Sequence, residues 1–364
     1  MTAIMDFYNK YYVANNMAII LSGDIDYDNT IKLLTKYWGD FRKNDKLEFK
    51  EYTAKDFTKI AVDTVEGRQT DFVAVAYRFD GEINQSESVK LGLLAEMIQN
   101  DKAGLIDLNV LQKQKVLSLE KVILSSRDYT TFMLVGIPKA GQSLEDVKNI
   151  ILEEINNLKT GNYNDDLIQS VKNNVEQGRE QAKDNNGYLV DRFKNLFINN
   201  KNMDSMLAAE TEFDSLTKDD MVKFSNDRFK DNYVVVYKKT GENKLKVSVE
   251  KPKITPLDLN NTNRSEFAKE LMNEKTKNIS PKFLDFKKDM QSFKLPNKND
   301  VYYIKNTTSD IFKLAYVIDR GSYNDRELKI ALNYSDYLGT EKYTPEEFGE
   351  ILYKNALNIS VDMN

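Results

Sequence analysis

The chain has 364 residues, of which 41% are hydrophobic and 30% are charged, and this composition supports folded cores rather than disorder. Its net charge of -5 argues against nucleic acid as a partner, because phosphate backbones require a basic surface. The sequence contains no histidine and no cysteine, which excludes an ordinary zinc site, a Ser-His-Asp triad, a cysteine nucleophile and disulfide bonds. The chemistry that remains is that of carboxylates, hydroxyls, lysine and tyrosine.

The first segment of the chain reads as helix, strand and helix. Residues 7–12 have the apolar spacing of the end of a helix. An apolar run at 17–22 predicts a buried strand, and the pattern over 27–38 predicts a second helix. Residues 42–57 are charged and aperiodic, which favours a linker between packed units. No apolar run approaches the roughly 20 residues that span a bilayer, and the N-terminus lacks the apolar segment of a signal peptide. We therefore expect a soluble chain, with its compartment left open.

The acidic stretch Asp24-Ile25-Asp26-Tyr27-Asp28 has the alternating carboxylates of a calcium loop. Such a loop also needs a glycine at its sixth position and a glutamate at its twelfth, where this sequence has asparagine and threonine. Acidic residues between a strand and a helix also serve as N-terminal caps. We favour capping over calcium binding here.

Residues 58–245 read as a complete unit of strands, helices and a returning strand. Val73, Val75 and Tyr77 alternate with small or polar neighbours, as in a half-buried strand. Ser143 and Thr217 each precede an aspartate by three residues, which predicts helix caps. Strands are predicted at 59–65, 70–79, 122–124, 131–136 and 233–238, and helices at 87–100, 143–160, 165–184, 188–199 and from 217 onward. This order favours the α+β class, with antiparallel sheets flanked by helices, over an alternating parallel sheet.

Residues 246–300 form a second connector, which holds four of the chain's six prolines and one predicted helix at 265–277. After this connector, strands are predicted at 301–305 and 313–318, paired with each other. The next pattern predicts a helix that is capped at 324–325 and ends at 338–339.

A further helix is predicted from Thr344-Pro345-Glu346-Glu347. Thr344 can accept a hydrogen bond from the first turn, Pro345 needs no partner for its missing N–H, and Glu347 can reach back to the Thr344 N–H. Two capped helices in close succession indicate a packed domain.

The sequence Ile-Ala-Leu-Asn-Tyr at 330–334, followed by Tyr-Leu-Gly-Thr at 337–340, carries a resemblance to a known family. It is similar to the start of a lobe in the insulinase/pitrilysin family of zinc peptidases, whose H-x-x-E-H motif lies on a helix shortly before an aromatic-x-Gly-Thr. The motif positions fall on Ile330, Asn333 and Tyr334. These side chains offer an alkyl group, a neutral amide and a phenol, so the motif is degenerate and we predict that it is non-catalytic.

The resemblance implies a domain organisation that covers the whole chain. Residues 1–41 would be the C-terminal part of a first, catalytic-type domain, and 42–57 a linker. A complete second peptidase-like domain would span 58–245. The inter-lobe linker with its helix would be 246–300, and 301–364 would begin a third, degenerate and non-catalytic domain.

The function that the resemblance implies is that of a central segment of a two-lobe zinc-dependent peptidase. This segment would shape the peptide-binding chamber and connect the lobes, while zinc and the peptide substrate belong to the full-length enzyme. We assign no catalytic or metal-binding residue to this chain, predict that it is inactive alone, and leave its substrate-binding residues unknown. We also expect self-association through its incomplete domains. The alternative is a catalytically silent scaffold or partner subunit of a peptidase-like complex.

Overall fold

The computed structural model describes residues 2–49, 53–183, 185–242, 250–251, 253–256, 259, 261–275, 280–281 and 283–363. The chain divides into two compact units, residues 1–243 with 308–364, and residues 244–307. The α-helices are α1 Thr2–Tyr11, α2 Tyr27–Trp38, α3 Gln85–Ile98, α4 Leu144–Thr160, α5 Leu167–Ala182, α6 Asn186–Ile198, α7 Met203–Ser215, α8 Lys218–Arg228, α9 Glu266–Asn273, α10 Arg326–Asn333 and α11 Pro345–Lys354. The strands are β1 Ala61–Gly67, β2 Phe72–Asp80, β3 Ser118–Ser125, β4 Tyr129–Ile137, β5 Val234–Thr240, β6 Gln291–Lys294 and β7 Asp300–Tyr303.

The main sheet of the first unit has five strands in the order β1-β5-β2-β4-β3. β1 and β5 are parallel, and the other three pairs are antiparallel. β1 and β2 are close in sequence but do not pair, because β5 lies between them and bonds to both. The predicted α+β class, with helices flanking mainly antiparallel strands, is confirmed.

The two faces of this sheet differ in what covers them. Val73, Val75 and Tyr77 are buried on the face against which α3 and α4 pack, as their alternation predicts. On the same face, the rings of Phe79 and Phe132 are 6.2 Å apart, and both side chains belong to the main hydrophobic core. Burial of this apolar face is the principal source of the unit's stability.

Helix caps account for the agreement between predicted and observed helix starts. Three helices begin with a capping box, in which the hydroxyl of the first residue and the carboxylate of the residue three positions later each accept from the other's backbone N–H. These boxes begin at Ser143, Thr217 and Thr344. In the last, the Thr344 hydroxyl accepts from the Glu347 N–H at 3.2 Å and the Glu347 carboxylate accepts from the Thr344 N–H at 2.9 Å. Asp325 caps α10 in the predicted way, since its carboxylate accepts from the Leu328 N–H at 3.0 Å. These four predicted caps are therefore confirmed.

Two predicted strands are wrong. Residues 17–22 are not a strand, and Met17, Ile19 and Leu21 are exposed. Residues 313–318 are likewise not a strand, and Tyr316 is 86% exposed. No other strand among the described residues lies beside either segment, and a strand needs a neighbour to satisfy its backbone N–H and C=O groups.

One helix ends earlier than predicted, and another helix was not predicted. α10 ends at Asn333 rather than at 338–339, and a short 3-10 turn covers Ser335–Tyr337. The sequence reading placed no element where α7 lies, although Asn202 caps that helix by accepting from the Ser205 N–H at 2.9 Å.

The second unit contains a short helix and a hairpin. Ser265 caps α9 by accepting from the Ala268 N–H at 3.2 Å, while the predicted helical residues 276 and 277 and the predicted connector residue Pro252 lie outside the described residues. β6 and β7 form an antiparallel pair, joined by an ion pair of 2.7 Å between Lys294 and Asp300. The partner of β7 is therefore β6, which corrects the predicted pairing with 313–318.

Candidate functional site

The degenerate motif lies at the C-terminal end of α10. Ile330 and Asn333 are on the helix, and Tyr334 is its C-terminal cap, with its N–H 3.1 Å from the Ile330 carbonyl oxygen. Ile330 is 72% exposed, and Tyr334 is exposed as well. None of the three side chains matches the imidazole, thiolate or carboxylate ligands that zinc takes in proteins. These positions therefore do not fit a zinc ion, and their non-catalytic role stays a prediction.

The acidic residues that the sequence singles out as a calcium-loop candidate include a helix cap. Within the described ranges, no group of three or more Asp and Glu residues could hold a metal ion. In the acidic stretch at 24–28, the Asp26 carboxylate accepts from the Asn29 N–H at 2.7 Å and caps α2, so the capping role is confirmed for Asp26. None of the helices in the described part of the chain is both long and apolar enough to cross a membrane.

The face of the main sheet opposite α3 and α4 is a candidate peptide-facing surface. We define this open sheet face by Ala76, Arg78, Thr131 and Met133, whose positions alternate with those of the buried face. Ala76 and Met133 are directly opposite each other on β2 and β4, and both are partly exposed. A half-buried, mostly uncharged sheet surface can contact an extended polypeptide.

A short segment before β1 crosses one end of the open sheet face. The Ala54 N–H donates to the Tyr129 hydroxyl at 2.9 Å, and the Arg78 guanidinium donates to the Lys55 carbonyl oxygen at 2.6 Å. The Arg78 guanidinium also lies 4.8 Å from the centre of the Phe57 ring. These contacts cover the Arg78 end of this face and leave the end with Ala76 and Met133 more open.

A cavity of about 430 Å³ lies on a different part of the first unit, between α11, the start of α5 and the helical turn near residue 108. Its lining is mixed: Leu105, Leu108, Leu167 and Ile351 are apolar, and half of the lining residues are polar or charged. This volume falls in the range of protein sites that bind small molecules.

Polar contacts hold α11 beside α5 at this cavity. The Asn174 side-chain amide donates to the Tyr353 carbonyl oxygen at 2.6 Å, and the Asn173 amide donates to the Lys354 carbonyl oxygen at 3.2 Å. The Gln177 amide donates to the Ala356 carbonyl oxygen. Two amide side chains thus bind carbonyl groups at the end of α11, where partners within the helix are lacking, and a third binds a carbonyl group just beyond the helix.

Two tyrosine hydroxyls at the cavity are withdrawn from solvent. Burial, then the charges of Asp165 and Asp219, raises the pKa of Tyr163 to about 12, and its hydroxyl has no hydrogen-bond partner within the described ranges. Burial also raises the pKa of Tyr353, helped by the charges of Glu96 and Asp107. Both side chains line the cavity and stay protonated at neutral pH.

Asp107 is a buried carboxylate close to this region, with only 7% of its surface exposed. One of its oxygens accepts from the Asn100 N–H at 2.8 Å and the Gly104 N–H at 2.9 Å. The other has no partner among the described residues. Burial raises the pKa of Asp107 above its ordinary value of 3.8, because desolvation outweighs the hydrogen bonds that favour the charged form.

The raised pKa of Asp107 predicts a pH-dependent stability. Because the folded chain holds this proton more tightly than the unfolded chain, the stability that Asp107 supplies is full below about pH 3.8 and is lost as the pH rises through the raised pKa. The asparagine of Asp107→Asn cannot ionise. The free energy of unfolding of this variant should therefore increase relative to that of the parent chain as the pH rises. Urea titrations between about pH 3 and pH 8 measure this difference.

The control for this titration is Asp40→Asn, which changes an exposed carboxylate. Its free energy of unfolding relative to the parent is the baseline against which the pH dependence of Asp107→Asn is judged. A difference between Asp107→Asn and the parent that stays constant over the same range would contradict the prediction.

The sequence reading did not identify the cavity or Asp107. The cavity walls come from residues near 105, near 165 and near 350, and no spacing rule connects stretches so far apart. Asp107 lies in an apolar stretch, where a lone acidic residue is a signal that could have been noticed.

Comparisons with known proteins place the fold. Residues 1–175 match the family described as the peptidase M16 inactive domain. The zinc protease PqqE of Helicobacter pylori is 18% identical over 233 residues, which are 63% of this chain and 52% of that protein. The chain thus spans about half the length of the curated relative it matches.

Two solved structures have a similar fold. A protease from Helicobacter pylori superposes with a TM-score of 0.60 at 17% identity, covering 66% of this chain and 59% of that chain. The periplasmic protease PqqL from Escherichia coli superposes with a TM-score of 0.53 at 14% identity, covering 100% of this chain and 43% of that chain. The resemblance and the fold class that the sequence predicts are confirmed.

Proposed function

Because residues 1–175 of this chain match the family described as the peptidase M16 inactive domain, we propose that the chain is a non-catalytic segment of a two-lobe zinc peptidase. In this proposal, 58–245 is the complete second domain, and its open sheet face forms one wall of the peptide chamber. Residues 246–300 connect it to the beginning of a third domain. Zinc and its ligands belong to another part of the full-length enzyme.

The observation that carries the proposal is the family match to an inactive domain, together with the side chains at the degenerate motif. Ile330, Asn333 and Tyr334 do not supply zinc ligands, so metal-assisted hydrolysis has no centre at this helix. The contribution of such a segment to proteolysis is to hold and orient the substrate rather than to cleave it.

We expect an unfolded peptide to contact the open sheet face. The chain has no cysteine, so Met133→Cys introduces a unique attachment point for a photo-crosslinker on that face. Irradiation with an unfolded peptide should cross-link the peptide to position 133, because the apolar side chains there lose water on contact. Mass spectrometry of the same samples, with zinc added, should show the peptide uncleaved.

The matched control is Leu207→Cys, which places the same crosslinker at an exposed apolar position on α7. We expect at least severalfold less cross-linked peptide from position 207. Equal yields from the two positions would contradict the chamber wall, and zinc-dependent cleavage by the purified chain would contradict the non-catalytic role.

A second candidate function is a silent scaffold or partner subunit of a peptidase-like complex. The exposed apolar residues Phe312, Tyr316 and Ile318 favour it, because a surface of this kind suits contact with another protein or a second copy. Co-purification with a separate subunit that carries H-x-x-E-H would support the scaffold over the segment of a single peptidase. Self-association through these residues stays a proposal of the same kind.

A further inference from the structure

The cavity beside α11 is separate from the open sheet face and has walls made of helices and loops. Leu105, Leu108, Leu167 and Ile351 give its lining an apolar part that suits an alkyl chain. Tyr163, Tyr343 and Tyr353 contribute aromatic side chains to the same lining. A planar or cationic group favours such surroundings, because aromatic rings attract cations to their faces.

Negatively charged groups outnumber positively charged groups in the lining of the cavity. Three carboxylates line it, those of Asp166, Glu347 and Glu350, against the single ammonium group of Lys354. Lys354 forms an ion pair with Asp166. Two negative charges therefore remain, which favours a cationic occupant.

The remaining carboxylates differ in how free they are. Glu347 accepts from the Thr344 N–H at 2.9 Å and so completes the capping box of α11. Glu350 lies one turn further along the helix, is partly buried, and has no ion pair within the part of the chain that the structure describes. Glu350 is therefore the carboxylate available to a ligand.

We propose that this cavity binds the arginine side chain of an extended peptide. A guanidinium group is planar and carries five N–H donors, two of which can bond side by side to one carboxylate. Glu350 would receive those two bonds. The methylene chain of arginine would lie against Leu108 and Ile351. Lysine would fit less well, because its compact ammonium group makes no paired contact and stacks less well on aromatic rings.

The choice of a peptide as the source of the arginine rests on the proposed function. Free arginine carries the same guanidinium group together with its own ammonium and carboxylate. Glu347 and Glu350 would repel that carboxylate and attract that ammonium, so the discrimination rests on removing both charges from water, a cost that the uncharged backbone groups of a peptide do not incur.

The test uses the whole chain and the blocked peptide acetyl-Gly-Gly-Arg-Gly-Gly-amide, with binding measured by titration calorimetry. Citrulline in place of arginine keeps the shape and removes the charge, and it should weaken binding about tenfold or more. Lysine in place of arginine should weaken it severalfold. Equal binding of the citrulline and arginine peptides, or free arginine binding as tightly as the arginine peptide, would overturn the proposal.

Two matched variants locate the site. Glu350→Gln should weaken binding of the arginine peptide about tenfold or more, because the paired bonds to the carboxylate are lost. Glu346→Gln changes a glutamate on the same helix that does not line the cavity, and it should leave binding unchanged. Equal losses in the two variants, or no loss in Glu350→Gln, would overturn the assignment, provided that both unfold at the parent's temperature. Cross-linking at position 133 is independent of this result, so failure here and failure of the chamber wall are distinguishable.

Discussion

Replacing Arg228 with alanine is expected to lower the free energy of unfolding by about 3 kcal/mol, at the low end of the cost of breaking a buried ion pair. Arg228, at the end of α8, is ion-paired with Glu87 in the first turn of α3. Glu87 is only 5% exposed, and it also accepts from the Asp80 N–H at 3.1 Å. Without the guanidinium, a charged carboxylate stays buried with a single backbone donor.

Urea unfolding of two further variants shows whether the ion pair is responsible. The double variant Glu87→Gln with Arg228→Met should recover much of the loss, because it leaves no charge unpaired. Lys223→Ala, which breaks an exposed ion pair with Asp227 on the same helix, should cost no more than about 0.5 kcal/mol. A single Arg228→Ala variant as stable as Lys223→Ala would contradict the expectation.

Replacing Phe132 with alanine is expected to cost about 4 kcal/mol, which would be the largest loss among these variants. Phe132 is fully buried on β4. Its ring centre lies 6.2 Å from that of Phe79 and 6.0 Å from that of Phe229, so it joins two strands of the sheet to the segment after α8. Alanine would leave a cavity where these three rings meet, because close-packed neighbours relax only partly.

The control for Phe132 is an exposed phenylalanine. Phe312 is 78% exposed, and Phe312→Ala should change the free energy of unfolding by less than about 0.5 kcal/mol. Thermal or urea unfolding measures both variants. Similar stabilities for the two would mean that the ring cluster does not hold the sheet to its helices.

Local signals in the sequence predict the helices well and the strands unevenly. The pattern over 27–38 gives α2 with its observed bounds, because the Asp26 cap and the apolar spacing act within the helix itself. The apolar run at 17–22 looks like a strand by the same local criteria, yet it has no strand beside it among the described residues. A strand needs hydrogen bonds from a neighbouring strand that can lie far away in sequence, and a short window of sequence does not identify that neighbour.

The candidate site was predictable only where it depends on a motif. Ile330, Asn333 and Tyr334 were identified from their spacing relative to Gly339 and Thr340, since a motif is a local pattern. The cavity depends instead on the contact between α5 and α11, which Asn173 and Asn174 make through their amides. Amide side chains on an exposed helix face carry no sign of what they bind, so this site required the structure.

The position of β5 between β1 and β2 has a consequence for how the chain folds as it leaves the ribosome. Thr240 bonds to Asp71 across 169 positions of sequence, so β1 and β2 emerge long before the strand that joins them. At translation rates of about 5–20 residues per second, this interval is roughly 10–30 s. During that time β1 has no partner strand in the sheet and β2 lacks its β5 partner, so both strands are open to pairing with other nascent chains. Completion of the sheet therefore follows synthesis of the helices that come between, and the strand edges of the newly made chain stay exposed until residue 240 has appeared.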